Sequence, residues 1–196
     1  VREFREASTK EATKECANTP TLFQEVRQPI SEYIIVPRHS SENRRYVPTG
    51  FIDSSIIVTD AVQIIPEATI YHFGVLTSNV HMSWMRAVCG RIKSDYRYSK
   101  DVVYNNFPWP TPTEEQKAKI EQTAQAILDA RALYPDSSLA DLYDELTMPP
   151  ELRKAHQNND RAVMQAYGMP VRGTTESSCV ATLMEMYQKL VEEEKA

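Results

Sequence analysis

Asn105-Asn106-Phe107-Pro108-Trp109-Pro110-Thr111-Pro112, just past the middle of the chain, separates two kinds of sequence. Three prolines within five residues cannot continue a helix or a central strand, because proline has no backbone N–H to donate. Short segments of β-branched and aromatic residues precede this stretch, and helical patterns follow it. The stretch therefore predicts a boundary between a β-rich part and a helical part, in a chain of the α+β class.

The β-rich part, from residue 30 to 75, consists of short apolar segments separated by Pro, Gly, Asn and Asp, as in a small irregular sheet. We predict strands at residues 33–36, 45–47, 56–58, 64–65 and 69–73. A helix is predicted from residue 77 to about 93, because apolar side chains recur there at three- and four-residue spacing and form one stripe. The stripe consists of Met82, Met85, Val88, Cys89 and Ile92.

Helical sequence lies on both sides of this part. Residues 1–19 are rich in Glu, Arg, Lys and Ala and contain no Gly or Pro, which predicts a helix. Beyond the boundary, Thr113 and Gln116 have the spacing of a capping box and predict a helix over residues 113–133. A second helix is predicted from Pro149 to Gly168, where glycine suits a helix end, and a third over residues 175–195.

Composition and motifs argue against several classes of protein. The chain is 41% hydrophobic and 25% charged, which is typical of a globular protein, and its apolar runs are shorter than the roughly 20 residues of a membrane span. The three cysteines and four histidines lack metal-site or disulfide spacing, and the five glycines form no phosphate-binding turn. We therefore expect a cytoplasmic chain without a metal, a cofactor or a catalytic residue. Because the sequence opens on Val in a helical pattern, we expect a piece of a longer protein.

The net charge of −5 hides an uneven distribution of charge along the chain. Residues 27–110 carry a balance of +2, whereas residues 111–196 carry −6. Within residues 86–100, five Lys and Arg side chains stand against Asp95 alone. Such a local excess of positive charge is typical of a surface that binds nucleic acid.

The segment Gly90-Arg91-Ile92-Lys93-Ser94-Asp95-Tyr96-Arg97-Tyr98-Ser99-Lys100 alternates cations with tyrosines and hydroxyls. Arg and Lys donate to guanine edges or phosphates, and Asp accepts from cytosine, so the segment could enter a major groove. A second basic patch lies in a turn of the β-rich part. The candidate DNA-binding residues are Arg86, Arg91, Lys93, Ser94, Asp95, Tyr96, Arg97, Tyr98 and Lys100, together with Arg38, Arg44 and Arg45. From charge alone, a solvated surface is an equally good interpretation.

Longer motifs carry a resemblance to a known family. They are Tyr33-Ile34-Ile35-Val36-Pro37-Arg38, Tyr71-His72-Phe73-Gly74-Val75-Leu76-Thr77-Ser78, His81-Met82-Ser83-Trp84, the basic segment above, Tyr104-Asn105-Asn106-Phe107-Pro108-Trp109-Pro110, Leu142-Tyr143-Asp144, Pro149-Pro150-Glu151-Leu152-Arg153-Lys154-Ala155-His156 and Asp160-Arg161-Ala162-Val163. In this order they resemble the target recognition domain and the C-terminal helical segment of MmeI-like DNA methyltransferases, which are single-chain restriction–modification enzymes and their relatives. The resemblance covers essentially the whole chain.

This resemblance implies a division of labour within a bacterial protein. Residues 1–19 would link to a preceding S-adenosylmethionine-dependent adenine methyltransferase, residues 20–110 would be the target recognition domain, and residues 111–196 the C-terminal helical domain. Double-stranded DNA and the methyltransferase would be the partners, with the target adenine flipped into the methyltransferase. Family specificity is set around the segment matching Arg91 to Lys100, so Arg91 and Lys93 are the first candidates for reading bases. Catalytic and cofactor motifs of the family have no counterpart here.

The alternative is a structural role. In that case the acidic helical part clamps the recognition part to the rest of the enzyme, and the chain alone binds no DNA.

Overall fold

The structure, a computed structural model, describes residues 1–23 and 27–195. Residues 24–26 of the predicted recognition domain and Ala196 of the predicted helical domain lie outside the described residues. The chain forms two compact units, Val1–Ile30 and Ser31–Ala196. Within the described ranges, no helix is long and apolar enough to cross a membrane.

The first unit contains two short helices, α1 (Arg2–Glu6) and α2 (Glu11–Glu15), followed by a 3-10 turn at Cys16–Asn18. The prediction of one helix over residues 1–19 is therefore wrong. The Ser8 hydroxyl accepts a hydrogen bond from the Lys10 backbone N–H at 3.1 Å, and such a local bond competes with helical pairing. The Arg5 guanidinium then holds the fold-back by donating to the carbonyls of Cys16, at 2.6 Å, and Thr19, at 2.9 Å.

The second unit begins with two small antiparallel sheets. The strands in chain order are β1 (Tyr33–Pro37), β2 (His39–Ser40), β3 (Gly50–Ile52), β4 (Val62–Ile65), β5 (Gly90–Ile92) and β6 (Asp95–Arg97). One sheet has the order β3-β1-β4 and the other β2-β6-β5. The predictions at residues 33–36 and 64–65 are confirmed, and so is the α+β class.

Two other predicted strands are loops. At residues 45–47 the burial comes from packing, since Tyr46 and Val47 are buried without pairing to another strand. At residues 56–58 the apolar side chains are exposed, Ile56 by 50% and Ile57 by 58%. β-branched and aromatic residues favour a strand at these segments, but a strand also needs a partner to pair with, and the composition does not provide one.

The third wrong strand, residues 69–73, forms the start of helix α3 (Ile70–Leu76). Its N-terminus is capped locally: the Thr69 backbone N–H donates to Nδ1 of His72 at 3.0 Å. This bond satisfies a donor that a helix end otherwise leaves unpaired, so a β-rich composition is overridden by the cap and by tertiary packing.

Helix α4 (Asn79–Val88) ends earlier than predicted. Cys89 is extended, with φ −69° and ψ 152°, and the chain enters the hairpin β5–β6 where the prediction continued the helix to residue 93. Ile92 is consequently not part of the buried stripe and is 47% exposed. The basic segment is a hairpin rather than the end of a helix.

The helical part follows the sequence patterns closely. Its helices are α5 (Glu114–Ala132), α6 (Leu139–Leu142), α7 (Pro150–Ala166) and α8 (Glu176–Lys195). The predicted capping box is present, because the Gln116 backbone N–H donates to the Thr113 hydroxyl at 3.2 Å and Oε1 of Gln116 accepts from the Thr113 N–H at 2.9 Å. Gly168 has a φ of +68° just past α7, which confirms the predicted helix end.

One hydrophobic core joins the β-rich and helical parts of Ser31–Ala196. The two parts approach closely at Gly74 of α3, where a Cβ atom would lie 2.7 Å from Cγ2 of Ile120 and 3.0 Å from Cβ of Ala124 in α5. Asn159 of α7 donates from its side chain to the Gly74 carbonyl at 2.7 Å. Glycine at this position thus lets α3, α5 and α7 pack against one another.

Candidate nucleic-acid interface

The β5–β6 hairpin has an inner and an outer face because β2 pairs with β6. The pairing places His39 opposite Arg97 and Ser40 opposite Tyr96. Side chains directly opposite each other across a sheet share a face, and successive residues of a strand alternate between faces. Tyr96, Ser40 and Arg91 therefore share the inner face, whereas His39, Arg97, Asp95 and Ile92 share the outer face.

Burial removes the two tyrosines from the predicted DNA-contacting set. Tyr96 is 6% exposed and Tyr98 is 4% exposed, and both belong to the core. The Tyr98 hydroxyl lies 3.0 Å from Nε2 of His81 in α4, and burial raises the pKa of this phenol. The rings anchor the hairpin to the body of the protein, so they are not accessible to a duplex.

Arg91, a predicted base reader, is held along the hairpin. Its guanidinium lies 4.5 Å from the centre of the Tyr96 ring and donates to the Ser94 carbonyl at 2.7 Å. It also lies 3.8 Å from a carboxylate oxygen of Glu42. Its side chain is nevertheless 44% exposed, so it can exchange these partners for a ligand.

Lys93 and Arg97 are the cations with the fewest constraints on the hairpin. Lys93 occupies the turn between β5 and β6 with a φ of +56°, and Arg97 lies on the outer face. Both are exposed, and neither side chain has a hydrogen bond or ion pair within the described ranges. Ser94 and Asp95 beside them are exposed as well. We call the exposed set Arg91, Lys93, Ser94, Asp95 and Arg97 the hairpin surface.

The turn at residues 41–45 lies against the hairpin and brings the second basic patch close to it. The Glu42 backbone N–H donates to Oδ1 of Asp95 at 3.3 Å, while its carboxylate faces Arg91. Arg45 is exposed, with its guanidinium 5.6 Å from the centre of the Tyr46 ring, and Arg44 is partly buried. The two patches, about 50 residues apart in sequence, thus form neighbouring surfaces.

Arg38 and Arg86 are partly buried. Nε of Arg38 is buried with no hydrogen-bond partner in the described part of the chain, while the Arg38 carbonyl accepts from the Tyr98 N–H at 2.8 Å. Arg86, with a side chain 16% exposed, contacts Glu176 of α8 at 3.2 Å. The Arg86 side chain joins α4 to the helical part, so we leave it out of the proposed DNA contacts.

Sequence reasoning missed the acidic partner of the hairpin surface. This partner is Glu42, in the turn of the second basic patch, which contacts both Arg91 and Asp95. The contact spans about 50 residues and depends on the β2–β6 pairing, so local sequence carries no signal for it.

Lys100 lies at the end of the basic segment. It is 64% exposed and its ammonium group lies 4.0 Å from the carboxylate of Asp101. A pair at this distance between exposed groups contributes little, so Lys100 remains available to a ligand. No group of three or more His, Cys, Asp or Glu side chains suited to a metal ion is found among residues 1–23 and 27–195.

Comparisons with known proteins relate this chain to MmeI and to a DNA methyltransferase. The family described as MmeI, target recognition domain, matches residues 1–111, and the family described as MmeI, C-terminal domain, matches residues 112–194. DNA methyltransferase A of Bacillus subtilis (strain 168) is 39% identical over 188 residues, which are 96% of this chain and 21% of that protein. A solved structure of the type IIL restriction–modification enzyme MmeI in complex with DNA is 48% identical, with a TM-score of 0.89 over 98% of this chain and 26% of that one. The chain therefore spans about a fifth to a quarter of the length of these relatives.

Proposed function

We propose that this chain, which belongs to the MmeI family and comprises its target recognition and C-terminal domains, selects the DNA sequence on which a longer protein acts. The observation that carries the proposal is the solvent-exposed hairpin surface, in a chain 48% identical to a protein solved in complex with DNA. A major groove is wide enough for a two-stranded β-ribbon, so a hairpin can present its side chains to base edges.

The side chains of the hairpin surface suit this task. Lys93 and Arg97 can donate to guanine edges or phosphates, and Asp95 can accept from the amino group of cytosine. The Arg91 guanidinium can exchange its contact with the Glu42 carboxylate for a contact with a base edge or a phosphate, since each of these groups also accepts hydrogen bonds. Ser94, Lys100, Arg38, Arg44 and Arg45 would add contacts to the DNA backbone.

The longer protein would divide the work among domains. One relative is a DNA methyltransferase. In this proposal the longer protein is an S-adenosylmethionine-dependent adenine methyltransferase that holds the cofactor and the catalytic residues elsewhere in its chain, with the target base flipped into that part. Residues 1–19 would link to that enzyme, residues 20–110 would recognise DNA, and residues 111–196 would support them. In this proposal the chain itself supplies no catalytic group.

A double substitution in the longer protein tests whether Arg91 and Lys93 determine the DNA sequence that is recognised. Replacing Arg91 and Lys93 with Ala removes two donors from the hairpin, so the methylated sequence should change or relax at one or more positions. The measurement is the sequence context of methylated adenines in DNA from cells that express each variant. Lys154→Ala, an exposed cation of α7, is the matched control. An unchanged methylated sequence in the double variant would contradict the assignment of base reading to these residues.

A structural role for the acidic helical part is the second candidate. It is favoured by the contacts that join the two parts: Asp160 of α7 accepts from the Tyr46 hydroxyl and from the Asn79 backbone N–H, each at 2.7 Å, and Arg86 contacts Glu176. In this case α7 and α8 hold the recognition part in shape, and the isolated chain binds no DNA.

A salt titration separates the two candidates. If the 196-residue chain binds a short duplex through phosphates, the logarithm of its affinity falls linearly with the logarithm of salt concentration. Replacing Lys93 and Arg97 with Ala should make this slope less negative by about 0.9 for each phosphate that the variant no longer neutralises. Absence of binding at low salt would favour the structural role.

A further inference from the structure

A cavity of about 320 Å³ lies beside the end of the basic segment. One side is lined by residues 63–66, from β4 and the turn after it, and the other by Tyr98, Lys100, Tyr104 and Asn105. Lys100 is only three residues beyond Arg97 on the outer face of the hairpin. The cavity therefore adjoins the surface proposed to meet DNA.

A π turn at Lys100–Tyr104 builds the second side of the cavity. The Asn105 backbone N–H donates to the Lys100 carbonyl at 2.7 Å, which places Lys100, Tyr104 and Asn105 at the two ends of one turn. The turn is anchored from inside, because Trp84 donates its indole N–H to the Val103 carbonyl at 2.9 Å and Val103 is fully buried. π turns are rare, and they occur frequently at functional sites.

The chemistry of the lining suits a planar ring beside an anion. Tyr104, Ile64, Ile65 and Pro66 give the cavity a lining that is largely apolar. The Asn105 amide can both donate and accept, as the edge of a nucleobase requires, and the Lys100 ammonium can bind a phosphate. The Tyr98 hydroxyl is already committed to His81, and the Tyr104 hydroxyl makes no hydrogen bond to any described residue.

We propose that this cavity binds one nucleotide lifted out of a DNA duplex, with its base against Tyr104 and a phosphate on Lys100. The proposal rests on the DNA-reading function above, since the hairpin surface would bring the duplex to the mouth of the cavity. A free nucleotide has the same base and phosphate, so the test must distinguish these two sources. Stacking of a base on an aromatic side chain strengthens binding by about tenfold or more.

The experiment compares two short duplexes that differ by one unpaired extra thymidine. We expect the 196-residue chain to bind the duplex with the unpaired nucleotide about tenfold more tightly, as measured by fluorescence anisotropy. Tyr104→Leu keeps an apolar side chain but removes the ring, so the preference should disappear while affinity for the paired duplex stays the same. Tyr104→Phe keeps the ring and should retain the preference.

Lys100→Met tests the phosphate contact at an exposed position where folding is not at risk. It should reduce affinity for the duplex with the unpaired nucleotide several-fold more than affinity for the paired duplex, so the preference shrinks, whereas Lys154→Met should leave the preference unchanged. Circular dichroism checks that each variant is folded. If Tyr104→Leu fails to fold, the Lys100→Met and Lys154→Met pair decides the question.

The outcomes separate this proposal from the one it rests on. Equal binding of the two duplexes, or a preference that neither Tyr104→Leu nor Lys100→Met reduces, would overturn the nucleotide site while leaving DNA reading intact. If neither duplex binds, DNA reading by the isolated chain fails, and a titration with thymidine monophosphate decides the cavity. If the wild type binds thymidine monophosphate and Tyr104→Leu does not, the cavity is a site for a free nucleotide. If the wild type does not bind thymidine monophosphate either, the site is refuted.

Discussion

His81 of α4 is an ionisable side chain fixed inside the core. Its Nε2 atom lies 3.0 Å from the Tyr98 hydroxyl, its ring packs edge-on against Phe107 with centroids 4.5 Å apart, and it is 1% exposed. Burial lowers the pKa of His81 to about 3 because the charged imidazolium would lose its hydration. His156 of α7, also buried, has its pKa lowered for the same leading reason, with Arg131 and Arg45 adding to it.

Acid should therefore destabilise the protein through His81. Below pH 6.5 the unfolded chain binds a proton at this residue, whereas the folded protein stays neutral until about pH 3. The contribution to stability is thus complete above pH 6.5 and is lost as the pH falls from 6.5 towards 3, by about 1.4 kcal/mol per pH unit. We expect the free energy of unfolding, measured in urea, to fall by about 2 kcal/mol between about pH 7.5 and pH 5 on account of His81.

The His81→Gln variant isolates this effect. Gln can still hydrogen-bond to Tyr98 but does not titrate, so its pH dependence should be weaker by that same amount. Burial raises the pKa of Asp160, which makes folding more favourable as the pH falls, but this contribution is common to both proteins and cancels in the comparison. An identical pH dependence in the two proteins would show that the pKa of His81 is the same in the folded and unfolded states, which would contradict this prediction.

The hairpin β5–β6 holds a strained residue at the point where it would meet DNA. Lys93 has a φ of +56°, in the left-handed region that glycine adopts without strain and other residues adopt at a penalty of about 1 kcal/mol or more. Strain of this kind is found more often at functional sites than elsewhere.

Replacing Lys93 with Gly should therefore separate stability from binding. We expect the free energy of unfolding in urea to rise by about 0.5–1 kcal/mol and the affinity for duplex DNA to fall, because the backbone relaxes and a cation is removed. Glu67, with the same φ of +56°, supplies the control: Glu67→Gly should also stabilise the protein but should not weaken DNA binding. A Lys93→Gly protein that binds DNA as tightly as the wild type would exclude Lys93 from the contact.

Across the whole molecule, the boundary between the two matched families does not coincide with a break in the core. The match to the recognition domain ends at residue 111, yet Ser31–Ala196 is one compact unit. Tyr46 stacks on His156 of α7 with ring centroids 4.2 Å apart, and fully buried Ile120 of α5 lies against α3 at Gly74. The recognition part thus depends on helices that follow it in sequence.

A chain that ends at Thr111 should not fold cooperatively. Removal of α5 and α7 would expose α3, whose buried residues include Phe73, Val75 and Leu76, and would leave the Tyr46 ring without its partner. We expect the near-ultraviolet circular dichroism and the cooperative urea transition to be lost. A chain that ends at Glu192 lacks residues 193–195, which are exposed at the end of α8, and the residue that follows them, and should unfold as the full chain does. Cooperative unfolding of the chain that ends at Thr111 would show that residues 1–111 fold independently.

Local signals in the sequence were enough to place several elements. The capping box at Thr113, the proline at the start of α7 and the glycine after it act within a few residues, so α5 and α7 could be predicted without any knowledge of their neighbours. The cluster of Lys and Arg in residues 86–100 and the family motifs could also be identified from the sequence, because amino-acid composition and the order of residues do not depend on tertiary contacts.

Long-range packing determines which side chains face outward and how the middle of the chain folds. Burial of Tyr46 in a loop looks the same in sequence as burial in a strand, and Ile92 continued the helical spacing of α4 although it lies in β5. The pairing of β2 with β6 turns Tyr96 inward and Arg97 outward, and it joins residues more than 50 positions apart. Local patterns contain no information about such a pairing, because its stability comes from the core that both strands cover only after the whole unit has folded.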